Sequence, residues 1–438
     1  MFQYYFWLGL RGLRRNPALT ALMVLTLAIG VAASISTMTI LHVMSGNPIP
    51  HKSGRLLVPL MDNGPVRGYT PGEKPGDVQM SYRDAANLLN SGQGTRRTAL
   101  YDIAGAVEPE RPGMPLIDAE GIATTHDFFA MFEVPFLHGS AWSAADDKAG
   151  AKVAVLSKRK SEALFGKDNP VGRSLRVFGQ EFRVAGVLDA WNPAPRYMHI
   201  INGTGGSFEG EDDIFIPFAT AIGLELQSNG STTCQEKPGP GFQGRLDSEC
   251  TWIQFWFEVD SVSDRTAIKS YLDAYTEEQR KLGRYPRQAP NQVFDVMEWL
   301  DFLHVVSNDS RIAVWLALGF LLLCMVNTMG LLLAKFSVRA PEVGVRRALG
   351  ATKGAVFQQF LVETAVIGIM GGALGLLLAH GSLWLIRQQS RDLSVLARMD
   401  WAMLGLTVAI AIAASVLAGL LPTWRACQVT PALQLKSQ

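Results

Sequence analysis

The stretch from Lys335 to Glu363 concentrates cationic side chains between two long apolar runs of the sequence. Glu342 is its only acid before Glu363, and its cations are Lys335, Arg339, Arg346, Arg347 and Lys353. Short loops beside membrane spans that are rich in lysine and arginine stay in the cytoplasm. The stretch is therefore predicted to be a cytoplasmic loop, and its position fixes the orientation of the rest of the chain.

Within this loop the sequence predicts a short, basic, amphipathic helix. Pro341 suits the first turn of a helix, where its missing N–H costs nothing, and Glu342 complements the positive end of the helix dipole. Gly350 then ends the helix. Apolar residues at roughly helical spacing form a stripe beside Arg346 and Arg347, and they are Val343, Val345, Ala348 and Leu349. On composition alone, an ordinary positive-inside loop is the simpler interpretation.

The sequence lacks the motifs of nucleotide, metal and hydrolase sites. No G-x-x-x-x-G-K-S/T phosphate loop occurs, because the nearest text, LFGKDN, lacks the upstream glycine and the serine or threonine that would contact magnesium. The 7 histidines are scattered and form no H-E-x-x-H motif, so no metal site can be argued. Ser207 misses the G-x-S-x-G nucleophile elbow because Glu209 occupies the position of the last glycine. We therefore expect a chain that is not an enzyme by itself and binds no cofactor or metal.

Four apolar runs are long enough to cross about 30 Å of hydrocarbon at about 1.5 Å per residue. They are Leu19–Met44, Ile312–Ala334, Phe357–Ile386 and Ala402–Leu421. The first run is too long for a cleavable signal peptide, and no small-residue cleavage site follows it. The formal net charge of +1 argues against a nucleic-acid partner. These features predict a multi-pass membrane protein with a large polar block after the first span.

The distribution of cations orients the chain across the membrane. Three arginines precede the first span, five cations fill the central loop, and Arg425 and Lys436 follow the last span. These three segments are therefore predicted to be cytoplasmic. The predicted order is an interfacial helix at 1–18, a first span at 19–44, an extracytoplasmic domain at 45–309, a second span at 310–334, the cytoplasmic loop at 335–356, a third span at 357–386, a short outside loop at 387–401, a fourth span at 402–424 and a cytoplasmic tail at 425–438.

The outside block is predicted to be α+β. Helical patterns cover Tyr82–Leu89 and Lys158–Phe165, and short strands with intervening turns surround the second of them. A strand, a helix and a second strand follow Thr251 and form a β-α-β unit. This unit is expected to pair with strands before residue 110, so that the segment between them is an inserted subdomain.

Two segments of the outside block, 191–213 and 224–250, are rich in Gly, Pro, Ser and Asn and are expected to be surface loops. Cys234 and Cys250 fall in the second segment, on the side of the membrane where disulfides form and persist. A bridge between them would close a loop of about 15 residues, worth about 3 kcal/mol in the chain-entropy model. Two unpaired thiols are the alternative.

Polar and small residues of the spans are expected to serve helix packing. Asn327 lies mid-span, where its amide needs a partner, and an interhelical hydrogen bond is expected. For Glu363, snorkelling or pairing with Arg346 or Arg347 is expected ahead of a proton-relay role. Residues 298–308 are expected to lead into the second span as a continuous stalk helix. Two overlapping G-x-x-x-G faces, suited to a tight contact within the subunit or across a dimer, are formed by Gly368 with Gly372 and by Gly371 with Gly375.

The text RAPEVGVRRALGATKGAVFQQFLVE resembles the cytoplasmic signature of the MacB/FtsX-type ABC transporter permeases, an E-R-x-x-E-I-G-I-R-x-A-x-G-A pattern followed by F-L-x-E. Val338 and Ala340–Pro341 depart from that pattern. RRNPALTALMVLTLAIGVA, LFGKDNPVGRSLRVFGQEFRVAGVLD and AGLLPTWRACQVTPALQLK resemble other parts of the same family. The matching positions of the cytoplasmic signature are Glu342, Gly344, Arg346, Arg347, Ala348, Gly350, Ala351 and Glu363.

This resemblance implies an α-helical membrane protein with four transmembrane helices and an α+β extracytoplasmic domain built of porter-like β-α-β units with an inserted subdomain. ATP and magnesium would be bound by a partner ATPase, a homodimer on a separate chain. Other expected partners are a second permease copy or a sister permease, membrane lipid and a periplasmic membrane-fusion adaptor, all at the bacterial inner membrane. The basic helix would be the coupling helix that docks on the ATPase, with Glu342, Gly344, Val345, Arg346, Arg347, Ala348 and Gly350 as its coupling residues.

The resemblance leaves two functions open. In the first, ATP-driven motion reaches the extracytoplasmic domain and exports an antibiotic, peptide or lipid-linked cargo. In the second, the chain is a cargo-free mechanotransmitter that regulates an extracytoplasmic partner such as a cell-wall hydrolase. The size of the porter-like domain favours export. A neighbouring gene for a membrane-fusion adaptor would indicate the exporter, and one for a peptidoglycan hydrolase the transmitter.

Overall fold

The computed structural model describes residues 16–73, 75, 78–109, 115–200, 207–208, 211–389 and 401–427. The chain divides into two units, one made of Met1–Ser45 with Val306–Gln438 and one made of Gly46–Val305. Most of the predicted interfacial helix at 1–18, outside loop at 387–401 and tail at 425–438 lies outside the described residues.

The first unit is helical. Its helices are α1 (Pro17–Ser45), α10 (Asn308–Val338), α11 (Ala340–Ala348), α12 (Lys353–Gln389) and α13 (Trp401–Cys427). By length and composition, three stretches in the described part of the chain could cross a membrane: Pro17–Ser45, Asn308–Val338 and Lys353–Gln388. Their apolar windows have mean hydropathies of 2.3, 2.2 and 2.0. In α13 a shorter apolar stretch, Ile412–Trp424, is found, so the four-span count stays a prediction.

Small residues let α12 lie close against α1. A Cβ atom added at Gly375 would be 2.9 Å from Cγ1 of Val31 and 3.0 Å from the carbonyl oxygen of Ala28. One added at Gly371 would be 3.0 Å from Cβ of Leu27. Only glycine permits this approach of the two backbones. The Gly371/Gly375 face therefore packs within the subunit.

In the described residues, the second unit is built on an 11-stranded mixed sheet. The strands are β1 (Leu56–Leu60), β2 (Met80–Ser81), β3 (Arg96–Glu108), β4 (Ile117–Thr124), β5 (Phe136–Gly139), β6 (Val153–Leu156), β7 (Ser174–Val177), β8 (Gln180–Leu188), β9 (Ile214–Pro217), β10 (Thr251–Glu258) and β11 (Gln292–Phe294). The main path runs β11-β1-β10-β3-β4-β9-β6-β8-β5, with β2 paired to β10 and β7 paired to β3 and β8. The pairs β4 with β9 and β6 with β8 are parallel.

Short helices accompany this sheet, and they complete an α+β unit as predicted. They are α2 (Tyr82–Leu89), α3 (Asp127–Met131), α4 (Ala144–Ala149), α5 (Lys158–Phe165), α6 (Phe218–Gly223), α7 (Gly241–Leu246), α8 (Arg265–Lys281) and α9 (Val296–Phe302). Helices α2 and α5 have the bounds predicted from their periodicity. The returning unit also pairs as predicted, because β10 lies between β1 and β3 and β11 pairs with β1.

Apolar side chains on both faces of the sheet are buried. In β3, Ala99, Tyr101 and Ile103 belong to one hydrophobic cluster, whereas Leu100 between them belongs to a second. Successive side chains of a strand point to opposite faces, so the two clusters lie on opposite sides of the central strands. Burial of both faces explains why the sequences of β1 and β10 are nearly continuous apolar runs rather than alternating apolar and polar residues.

The prediction that 191–213 and 224–250 are surface loops is wrong in part. Tyr197 and Met198 are 2% and 1% exposed. The Nε1–H group of Trp256 donates to the carbonyl oxygen of Met198 at 3.2 Å. In the second segment, α7 buries Phe242 and Leu246. Isolated aromatic and aliphatic residues among Gly, Pro and Ser give no periodic signal, so the sequence did not reveal this burial.

The predicted continuous stalk helix over 298–308 is also wrong. Helix α9 ends at Phe302 and α10 begins at Asn308. His304 between them has a positive φ of 50°, which a regular helix does not contain. Ser307 starts α10 anew, because its side chain accepts a hydrogen bond from the backbone N–H of Ser310.

Candidate functional site

Helix α11 lies between the long helices α10 and α12 in the chain, and its local sequence explains its bounds. Pro341 is in its first turn, where no intrahelical partner is needed for a backbone N–H. After its C-cap at Leu349, Gly350 adopts a φ of 102°, a conformation that glycine adopts without steric cost. The backbone N–H of Ala351 then donates to the carbonyl oxygen of Arg346 at 3.0 Å.

The apolar residues of α11 divide between two faces. Val343 is 7% exposed and belongs to a cluster that includes Phe336 of α10 and Phe360 of α12. Val345 and Leu349, by contrast, are 53% and 83% exposed. Residues two apart lie on nearly opposite sides of a helix with about 3.6 residues per turn. The predicted single stripe is therefore wrong: Val343 anchors the helix, and only Val345, Ala348 and Leu349 are left exposed.

Arg346 links α11 to its own first turn and to α12. One of its terminal nitrogens donates to Oε1 of Glu342 at 2.7 Å and the other to Oε1 of Gln359 at 3.1 Å. Both members of the Arg346–Glu342 ion pair are about two-fifths exposed, so the pair adds little stability. Arg347 is partly exposed and Gly344 is buried. The contacts of Arg346 orient the exposed face of α11 without covering it.

Glu363 of α12 is the centre of a buried ion-pair network. Its Oε1 lies 2.7 Å from Nζ of Lys335, and its Oε2 lies 2.9 Å from a terminal nitrogen of Arg339. The side chains of Glu363 and Lys335 are 1% and 0% exposed. The Lys335 ammonium also donates to Oγ1 of Thr20 at 3.4 Å. The prediction that Glu363 snorkels or pairs with Arg346 or Arg347 is therefore wrong.

This network connects four segments of the helical unit. Thr20 lies on α1, Lys335 on α10 and Glu363 on α12, while Arg339 is the residue from which α11 starts. Removing one member of such a pair leaves a buried charge without a partner, which costs far more than the intact pair contributes. The network thus fixes the base of α11 to the three long helices. We refer to Thr20, Lys335, Arg339 and Glu363 as the anchor network.

In the sequence, Lys335 and Arg339 are identified only as loop cations. Their spacing of four residues is a signal for a shared partner, because residues i and i+4 of a helix lie on the same face. Pairing of Glu363 with Arg346 or Arg347 was predicted instead, because the predicted end of the second span at 334 places Lys335 and Arg339 in a loop rather than on a helix.

The remaining predicted residues of the helical unit are either buried or exposed on its surface. Gly368 and Gly372 are buried in α12. Asn327 is exposed, and its side-chain amide makes no hydrogen bond to any residue that the structure describes. The expected interhelical hydrogen bond of Asn327 is therefore not found within the described part of this chain.

In the second unit, Cys234 and Cys250 form a disulfide with an S–S distance of 2.03 Å. The neighbouring residues Thr233 and Thr251 form an antiparallel bridge. The bridge and the disulfide attach the segment before α7 to the start of β10.

Comparison with known proteins agrees with this architecture. Residues 20–275 match the model of the MacB-like periplasmic core domain, and residues 314–431 match that of the FtsX-like permease C-terminal. The chain is 24% identical over 381 residues to the macrolide export ATP-binding/permease protein MacB of Rhodopirellula baltica, covering 84% of this chain and 53% of that protein. It is 25% identical over 320 residues to the pyoverdine export ATP-binding/permease protein PvdT of Pseudomonas entomophila, covering 71% of this chain and 42% of that protein.

The chain spans about half the length of the curated relatives it matches. Among solved structures, the periplasmic region of MacB from Actinobacillus actinomycetemcomitans is similar, with 15% identity and a TM-score of 0.37, over 58% of this chain and 95% of that one. The matched periplasmic core model alone covers more than half of the sequence. Its combination with the permease model at the C-terminal side identifies the protein as a member of the MacB/FtsX-type family of ABC transporter permeases.

Proposed function

We propose that the chain is a transporter permease subunit that passes ATP-driven motion from an ATPase to its extracytoplasmic domain. The observation that carries this proposal is the construction of α11. Its outward side exposes Val345 and Leu349, while its inward side and its base are fixed by Val343 and by the anchor network. An apolar surface held on a rigid base suits a helix that receives force from a partner.

The partner proposed for this surface is an ABC ATPase. ATP and magnesium would bind to that ATPase, because the present sequence has no phosphate loop. The arginines around the exposed apolar residues would contact acidic or backbone groups at the rim of the interface, where charges act mainly on encounter and salt dependence. A second copy of the permease or a sister permease would complete the assembly.

The proposed topology has four spans in the bacterial inner membrane, with both ends of this chain in the cytoplasm. The excess of lysine and arginine in the loop that contains α11 supports its cytoplasmic position. The unit Gly46–Val305 would then be extracytoplasmic, and the Cys234–Cys250 disulfide is consistent with an oxidising compartment.

We propose export as the work performed outside the membrane. Relatives named for macrolide export and for pyoverdine export support this choice. The cargo would be an antibiotic, a peptide or a lipid-linked molecule, delivered with a periplasmic membrane-fusion adaptor. The alternative is a cargo-free mechanotransmitter for a cell-wall hydrolase. Co-purification from native membranes distinguishes them, because the first would bring down an adaptor and the second a hydrolase.

The coupling surface is tested by Val345→Asp in the full chain. A carboxylate buried in an apolar contact is strongly unfavourable, so the variant should lose the ATPase that co-purifies with the unchanged chain and should lose its stimulated ATP turnover. Leu282→Asp is the matched control, since Leu282 is also exposed, at 70%, but lies in the other unit. Arg346→Glu should weaken association less than Val345→Asp does, and this weakening should be larger at low salt than at high salt. Unchanged association and turnover in Val345→Asp would show that α11 is only a positive-inside loop.

A further inference from the structure

The unit Gly46–Val305 contains a cleft of about 530 Å³, which no local sequence pattern indicates. Helices α2 and α6 contribute its apolar part, and residues 125–127 and α4 contribute most of its polar part. Small-molecule sites typically have volumes of about 300–1,000 Å³ and combine an apolar lining with a few polar groups. The size and composition of this cleft therefore suit a drug-sized organic ligand.

The apolar wall is aromatic and aliphatic. The rings of Tyr82 on α2 and Phe218 on α6 are stacked, with centroids 6.2 Å apart and planes inclined by 12°. Leu89 and Ile222 extend this wall on the same two helices and are only partly buried. The wall belongs to the margin of the hydrophobic core, yet it leaves apolar surface open to the cleft. A flat or branched apolar body would cover that surface.

The two carboxylates of the cleft are already engaged with groups of the protein. Asp147 accepts hydrogen bonds from Nε1–H of Trp142 at 2.6 Å and from the backbone N–H of His126 at 2.5 Å, and its Oδ2 is 2.9 Å from Nδ1 of His126. Burial raises the pKa of the Asp147 carboxyl. Asp127 accepts from the backbone N–H of Arg97 at 3.1 Å and lies 3.3 Å from Nε2 of His126. These two carboxylates hold His126 in place, so they are not offered to a cationic ligand.

The two cations of the cleft, by contrast, keep donors available. Arg97 uses Nε for the carbonyl oxygen of Leu89 and one terminal nitrogen for that of Gln93, and its other terminal nitrogen makes no hydrogen bond to any described residue. Lys148 is exposed, and its ammonium pairs with no carboxylate among the residues that the structure describes. A guanidinium and an ammonium with free donors recognise carboxylate, sulfonate or phosphate groups.

We propose that this cleft binds an amphipathic organic anion, whose apolar body lies against Tyr82 and Phe218 and whose acidic group contacts Arg97 and Lys148. This site goes beyond the proposed transfer of motion, because binding here requires neither an ATPase nor α11. Loss of coupling in Val345→Asp would therefore leave ligand binding intact. Conversely, absence of binding would leave the coupling mechanism standing.

The test uses the full chain in nanodiscs of zwitterionic lipid and three probes that share one apolar body. They are naphthalene-2-sulfonate, neutral 2-naphthylmethanol and cationic 2-naphthylmethylamine. Calorimetric titration should give the tightest binding for the sulfonate, at least about tenfold tighter than for the neutral probe, since hydrogen bonds to charged groups are the strong ones. Equal affinities, preference for the cation, or no binding of the sulfonate would overturn the assignment.

Two variants locate the binding in the cleft. Lys148→Gln should weaken sulfonate binding about threefold, as expected for a partly solvated charge pair, and should leave the neutral probe unaffected. Ala219→Trp should abolish binding of both probes, because Ala219 lines the cleft and is exposed to it. Lys167→Gln is the matched control, since Lys167 is an exposed lysine that does not line the cleft. Sulfonate affinity that is unchanged in Ala219→Trp, or equally reduced in Lys167→Gln, would contradict the proposal.

Discussion

The anchor network makes a quantitative prediction for Glu363→Gln. The substitution keeps the shape of the side chain but removes the charge that faces Lys335, whose side chain is 0% exposed. Loss of one partner of a buried ion pair costs about 3–5 kcal/mol. At about 1.4 kcal/mol per tenfold change, the unfolding equilibrium of the helical unit should shift by about 140- to 3,700-fold. Arg339 loses its contact as well, but at 12% exposure it can reach water more easily.

The measurement uses a thiol that the helical unit itself buries. Cys324 is 5% exposed, and its thiol is not part of a disulfide. With Cys427 replaced by serine, alkylation of Cys324 reports opening of the helices during equilibrium unfolding in mixed detergent micelles. Glu363→Gln should lower the unfolding free energy by the stated amount, and the transition should remain cooperative.

The control is the double variant Lys335→Met with Glu363→Gln. Removing the second charge takes away the uncompensated ammonium, so most of the lost stability should return, as in other cases where apolar residues replace a buried pair. The coupling energy of the double-mutant cycle should therefore be favourable by more than about 1 kcal/mol. A cost below about 1 kcal/mol for Glu363→Gln, or a double variant as unstable as the sum of the single ones, would refute a closed network.

Two further predictions concern topology and packing. Ser270 and Thr352 are both exposed. A cysteine at position 270 should react with a membrane-impermeant thiol reagent in intact cells, whereas one at position 352 should react only after the membrane is permeabilised. The reverse pattern would overturn the proposed orientation. Gly375→Leu should destabilise the helical unit by about 1–3 kcal/mol through overpacking against α1, measured by the same alkylation assay. Gly381→Leu, at a position with nothing within 4 Å of an added Cβ, should be close to neutral, and equal losses at both glycines would contradict the packing described here.

Much of the architecture was readable from the sequence because it depends on local patterns. The long apolar runs indicated the helices of the first unit, and periodicity indicated α2 and α5 with the bounds that the structure has. The glycine spacing in α12 indicated a close helix contact, although not its partner. Such features follow from residues within one or two turns, so they need no knowledge of the tertiary fold.

The candidate sites were predictable only in part because they combine residues distant in sequence. The helix α11 was expected from Pro341, Glu342 and Gly350, but the direction of Val343 depends on Phe336 and Phe360 beside it. A hydrophobic stripe has the same sequence pattern whether a partner protein or the chain itself covers it. The cleft is further from any local signal, because its lining residues extend from 82 to 223 and meet only when the sheet has formed.

The break between α9 and α10 bears on how the proposed motion could leave the helical unit. The unit Gly46–Val305 is joined to the rest of the chain only after Ser45 and before Val306. Helix α1 ends at Ser45, and residues 303–307 interrupt the helix on the other side. Neither connection is a continuous helix, so neither can act as one stiff rod. In the proposed mechanism, displacement of α11 would reach α1, α10 and α12 through the anchor network. The extracytoplasmic unit would then respond to the changed separation of the ends of α1 and α10 rather than to a twist carried along a single stalk.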